Sequence, residues 1–161
     1  MRWIWIDKFT RFESRTRAVA VKAVSAAEEH LHDLYPGFPV MPHSLIVEGM
    51  AQTAGILVGE AGGFKHKVIL AKVTRATFHR LVRPGTTLTY DAAVEQFSEQ
   101  GAGITGTVTD DAGNAVAEVE LMFSHIDQNM AGLKFPEENF VFTEQFVTLL
   151  QTFRQDASTA I

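Results

Sequence analysis

Between Leu45 and Val58 the chain is apolar on every side, with Leu45, Ile46, Val47, Met50, Ala51, Ala54, Ile56, Leu57 and Val58 spaced so as to circle a helix. A helix without a polar face is one surrounded by protein. Yet Ser44, Glu48 and Gln52 recur every fourth residue and stack along one line of it. The segment in front, Tyr35-Pro-Gly-Phe-Pro-Val-Met-Pro42, holds three prolines that fix φ and bias the residues before them away from helical geometry. The helix is therefore predicted to begin after Pro42, with Ser44 as its cap, and to run to about Gly59, ahead of Gly62-Gly63.

Elsewhere the period drops to two. Arg17 to Val24 alternates loosely, with Val19, Val21 and Ala23 on one side, and Val68 to Phe78 is rich in β-branched residues. After a turn at Pro84-Gly85, Leu88, Tyr90, Ala92 and Val94 alternate. Ile104 to Thr109 then leads into a hairpin loop over Asp110–Asn114. Beyond it Ala117, Val119, Leu121 and Phe123 face the core while Glu118 and Glu120 face out. One buried helix followed by antiparallel strands gives an α+β fold, the sheet packing one face on the helix. Gly55 and Gly59, one turn apart, let helix and sheet approach closely. Trp3 and Trp5, beside Ile4 and Ile6, read as a packed amino-terminal strand. Asp127 to Lys134 reads as a linker, and Phe146, Val147, Leu149, Leu150 and Phe153 predict an amphipathic carboxy-terminal helix. The division is one domain over residues 1–126, then a linker and helical extension over 127–161.

A length of 161 residues fits a single core, and 46% apolar with 20% charged residues is a soluble, globular composition. The apolar helix is too short and too interrupted to span a bilayer. No small-residue cleavage site follows an apolar amino-terminal segment, so no signal peptide is expected. The absence of cysteine excludes disulfides, thiolate catalysis and cysteine-ligated zinc, and makes the cytoplasm the expected address. A net charge of −5 argues against nucleic acid as the partner. Charge is uneven, however: residues 61–90 contain no Asp or Glu but carry Lys65, Lys67, Lys72, Arg75, Arg80 and Arg83. That run is either a basic field for an acidic protein or phosphate-bearing arm, or a set of ordinary solvated strand faces.

Glu48 is the residue to explain, because a carboxylate inside an apolar helix is costly unless paired, protonated or used. The loop and helix that carry it resemble the signature of the hotdog-fold 3-hydroxyacyl-(acyl-carrier-protein) dehydratases, the FabZ-like family. There a catalytic His precedes Phe-Pro-Gly-x-Pro-x-Met-Pro-Gly, four variable residues and Glu-x-x-x-Gln. Tyr35-Pro36-Gly37, Pro39, Met41-Pro42, Glu48 and Gln52 fall in that register. Lys72 to Arg83 with Pro84-Gly85, and Ala115 to Phe123, are similar to the family as well, so the resemblance covers residues 17–125. It implies a single hotdog domain, its sheet wrapped around the Ser44–Gly59 helix. It also implies action on acyl-carrier-protein or coenzyme A thioesters without a cofactor, and a homodimer or higher assembly whose subunits share each site. Glu48 would be the acid. Leu34, Tyr35, Gly37, Ser44, Leu45 and Gln52 would hold substrate, with backbone N–H groups near His43 to Leu45 facing the thioester oxygen. Residues 65–83 would be where a carrier protein docks.

The same register puts Leu34 where the family has its catalytic His, and His43 where it has Gly. Leucine cannot accept a proton. His32, two residues earlier, would share the face of Leu34 at about 6–7 Å in extended chain. His43 lies about 140° round the helix from Glu48 if the helix reaches that far. His30 sits in the polar run Ala27-Glu-Glu-His30. His30-x-His32-Asp33 looks like a metal-ligand pair, but no second cluster has suitable spacing, and His66, His79 and His125 are isolated. Two main functions follow, beside another hotdog reaction such as thioester hydrolysis in which Glu48 directs water. One is a hydro-lyase in fatty-acid or polyketide-type synthesis, with Glu48 as acid and His32 or His43 as replacement base, or with Glu48 working largely alone. The other is an acyl-thioester-binding or scaffolding subunit that has lost the chemistry along with the His.

Overall fold

The computed structural model describes residues 3–33, 35–126, 141 and 144–159. Along the chain come β1 (Lys8–Glu13), β2 (Arg17–Ala23), α1 (His30–Asp33), α2 (His43–Ala61), β3 (Val68–Phe78), β4 (Thr87–Ser98), β5 (Gly101–Thr109), β6 (Ala115–His125) and α3 (Glu144–Thr159). The strands form one sheet in the order β1-β2-β4-β5-β6-β3, and every neighbouring pair is antiparallel. Helix α2 packs against β2 through β6, which places the core between helix and sheet.

Proline decides where α2 begins. The cap is Pro42 rather than Ser44: its φ of −57° and ψ of 137° hold the chain extended, and no side chain caps the turn. The Pro42 carbonyl instead takes the N–H groups of Leu45 at 3.0 Å and Ile46 at 3.2 Å. A residue lacking an N–H gives up nothing by standing there. At the far end the Gly63 N–H returns to Glu60 O at 2.8 Å, with Gly63 at a φ of 62° that glycine adopts without strain.

Close approach explains the small residues facing α2. Ala18, Ala20 and Ala92 are fully buried beneath it, so β2 turns its alanines inward and leaves Val19 and Val21 half-buried on the opposite face. A Cβ at Gly49 would overlap the Tyr90 ring, and one at Gly106 would overlap Met50. Gly55 meets Phe123 at ordinary contact.

Two elements go beyond the sequence expectation. β1 was not expected, because the spacing of its Phe9 and Phe12 is stretched by an irregularity between Phe9 and Arg11. The tryptophans ahead of it are not a strand: residues 3–7 run without regular structure along α2. The other is α1, which follows a turn fastened by Ser25 Oγ accepting the Ala27 N–H and Glu28 Oε2 accepting the Ser25 N–H.

The predicted carboxy-terminal helix is α3. It lies on β1, with Leu150 buried, Phe153 edge-on to Phe9 at 6.4 Å, and Arg154 paired to Glu60 at 2.5 Å. The predicted linker, 127–134, lies outside the described residues. Among the described residues no helix is long and apolar enough to cross a membrane.

Candidate active site

Because Glu48 and Gln52 are one turn apart on α2, their side chains lie side by side. Gln52 Nε2 donates to Glu48 Oε1 at 2.8 Å. The same oxygen accepts the indole N–H of Trp3 at 3.1 Å. Gln52, buried at 7% exposure, also accepts the Trp5 backbone N–H at 2.7 Å and donates to the Trp3 carbonyl at 3.1 Å. The polar line of the helix thus serves to fasten residues 3–5 across its face. Glu48 is half-buried, a carboxylate with two donors rather than one sealed in hydrocarbon.

Glu48 and Gln52 border a cleft of about 490 Å³ otherwise lined mainly by apolar groups, among them Ile56, Val68, Leu70, Phe123 and Phe146. It is built by the amino-terminal segment, α2, the paired strands β3 and β6, and α3 with Val141 ahead of it.

The loop ahead of α2 is a type II turn. The Phe38 N–H reaches Tyr35 O at 2.9 Å across Pro36 and Gly37, whose φ is 78°. Tyr35 and Phe38 are exposed, with the Arg83 guanidinium 4.7 Å from the Phe38 ring centre. Leu34 lies outside the described residues. Ser44 is exposed in the first turn of α2, and the N–H of Leu45 is already taken by Pro42.

Neither candidate base lines the Glu48 cleft. His32 is helical, not extended, because it lies within α1. Its Nε2 is bonded to Ala26 O at 2.7 Å. His43 is the first residue of α2, exposed and stacked flat on Phe78 at 4.0 Å, so the helix does extend that far and turns the ring away from Glu48. His30 sits edge-on to Trp5 at 4.9 Å. His66 and His125, isolated in sequence, are neighbours in space and stack at 5.3 Å. Among the described residues no three His, Asp or Glu side chains gather into a group that could hold a metal ion.

The basic run is partly neutralised where β3 meets its neighbours. Arg75 pairs with Glu120 at 2.6 Å, Arg80 with Asp110 at 3.3 Å, and His79 lies 3.5 Å from Glu118. Lys67 is buried, while Lys65, Lys72 and Arg83 are exposed.

A family model described as the FabA-like domain matches residues 4–120. The chain belongs to the FabA-like family. It is 33% identical over 126 residues to a 3-hydroxyacyl-(acyl-carrier-protein) dehydratase FabZ of Chloroflexus aggregans, covering 78% of this chain and 87% of that one. The corresponding protein of Fusobacterium nucleatum is 36% identical over 124 residues, covering 75% and 85%. A Streptococcus mutans protein solved with acetyl-CoA superposes with a TM-score of 0.59 at 17% identity, covering 73% of this chain and 86% of that one. The Pyrococcus horikoshii protein PH1136 superposes at 0.62 and 14%, covering 80% and 88%. These likenesses establish the hotdog fold, a sheet wrapped around α2.

Parts of the cleft wall in this FabA-like chain lie outside the matched residues: Trp3, Phe123 at the end of β6, Val141 and α3. Trp3 is also the site residue that periodicity missed. Its signal was chemical: a carboxylate on an apolar helix needs donors, and an indole N–H can only donate.

Proposed function

We propose that the protein is a (3R)-hydroxyacyl thioester dehydratase, and hydratase in reverse, acting in the cytoplasm in fatty-acid or polyketide-type synthesis on thioesters of acyl carrier protein or coenzyme A. The observation that carries this reading is the carboxyl of Glu48, oriented by Trp3 and Gln52 at an apolar cleft. The curated relatives, named as dehydratases of this substrate class, support it.

Leu34 leaves the usual His position without a base, and His32 and His43 are engaged elsewhere. The economical mechanism uses Glu48 for both transfers. Its carboxylate takes the proton from the carbon beside the thioester carbonyl, then gives it to the departing hydroxyl. The C–H and C–O bonds break, a carbon–carbon double bond forms, and water leaves. Apolar walls strengthen each interaction with the developing charge. A homodimer built on β3 would bring a second subunit to this region, and with it a route by which the partner's His32 or His43 could take part. Exposed Lys65, Lys72 and Arg83 are the positions in 65–83 at which an acidic carrier protein would dock.

Leu34 also favours a second reading, an acyl-thioester-binding subunit without turnover. Hydration of trans-2-butenoyl and longer 2-enoyl thioesters, measured beside Glu48→Gln, separates the two. We expect turnover that falls at least a hundredfold in the variant, roughly the contribution of a general acid–base group. Saturable binding without turnover in folded protein selects the second reading, and turnover indifferent to Glu48→Gln removes the mechanism.

A further inference from the structure

The two oxygens of Glu48 are not equivalent. Oε1 receives both hydrogen bonds, from Trp3 Nε1 at 3.1 Å and Gln52 Nε2 at 2.8 Å. An indole nitrogen donates and cannot accept. Gln52 cannot be turned end for end either. Its Oε1 accepts the Trp5 backbone N–H at 2.7 Å, and its Nε2 donates to the Trp3 carbonyl at 3.1 Å. Reversal would set N–H against N–H and oxygen against oxygen. Both neighbours of Oε1 are therefore obligate donors, and a proton on Oε1 would face them head-on.

We propose that Trp3 is a positioning residue. With Gln52 it keeps Oε1 of Glu48 a pure acceptor and leaves Oε2 as the oxygen that takes and returns the proton. The inference rests on the reading of Glu48 as the proton-transferring acid. Trp3 is suited to the task. Its ring is stacked on Trp5 at 5.7 Å and 19°, and Trp5 is 6% exposed against the core, so the strap is anchored. Trp3 itself is 51% exposed and borders the cleft, so its N–H reaches the carboxylate from the side on which substrate would lie.

Trp3→Phe keeps the stacked ring and deletes only the donor. In the thioester hydration assay kcat is expected to fall roughly tenfold with KM unchanged, the loss of a charge-assisted hydrogen bond made to the reacting group. A merely structural Trp3 would lower the melting temperature and leave kcat of the folded fraction intact, which would overturn the proposal. A second readout does not depend on turnover. The chain has two tryptophans, so its two indole 15N–H resonances are assigned by the Trp3→Phe variant alone. The Trp3 resonance is expected to move in Glu48→Gln while that of Trp5 holds. An unmoved Trp3 signal removes the contact and this proposal, whatever the activity. A moved signal in a protein with undiminished Glu48→Gln turnover refutes the acid role first, and the positioning role with it.

Discussion

Tyr90 shows how closely helix and sheet are fitted at single residues. Its ring fills the space that a side chain at Gly49 would need, and its hydroxyl is buried beside the Trp5 indole without a well-formed hydrogen bond among the described residues. Burial pushes that hydroxyl well above the ordinary tyrosine range. The charges of Asp7 and Glu28 add to the shift, and the Trp5 indole opposes it. Below pH of about 10 the hydroxyl is protonated in folded and unfolded chains alike, so stability there is independent of it. Above about pH 10 the unfolded chain releases this proton while the native chain keeps it, so stability falls as pH rises. Tyr90→Phe is expected to unfold in urea within about 1 kcal/mol of the native protein at pH 7, since an unpartnered buried hydroxyl contributes little. It should also lose stability less steeply through the alkaline range. An equally steep alkaline loss in the variant would assign that loss to other groups.

At the scale of elements, what the sequence could show depended on how far apart the interacting residues lie. Helix α2, β3 and the Asp110–Asn114 loop were legible because each is written in a local pattern: prolines before an apolar run, β-branched residues in a row, a turn cluster between alternations. β1 was not, because its irregularity spoils the period, and α1 was missed because four residues are too few to show a helical period. Glu48 and Gln52 were legible as a pair for the same local reason. The Trp3 donor, 45 positions from Glu48, leaves no periodic trace. β3 carries a prediction at this scale. It is an edge strand of 11 residues exposing Leu70 and Val73, and a long apolar edge invites pairing with another strand. We expect a homodimer in sedimentation, and a monomer for Val73→Asp, because a carboxylate on the shared edge is costly to desolvate. A native protein that sediments as a monomer would end this reading, and with it any role for a partner His.

Over the whole molecule, the fold divides its labour between a family core and an added wall. The FabA-like match stops at residue 120, yet the cleft is bordered by Phe146 from α3. That helix is fastened by packing and charge at once: Leu150 is buried, Phe153 meets Phe9, and Arg154 pairs with Glu60, which also accepts the Ser14 hydroxyl at 2.6 Å. Phe146 lines the same cleft as Gln52 and Ile56, the α2 residues one and two turns beyond Glu48, so an acyl chain lying along the helix from Glu48 would run through the space it borders. Phe146→Ala should therefore lengthen the chain that fits. Each added methylene brought into apolar surroundings contributes about 0.8 kcal/mol, so a substrate two carbons longer should gain roughly tenfold in kcat/KM relative to the native preference. The pairing of α3 through Leu150 and Arg154 should keep the variant folded, which its melting curve checks. A chain-length profile that does not move would mean that α3 braces β1 and takes no part in selecting the acyl chain, leaving selection to the walls from α2, β3 and β6.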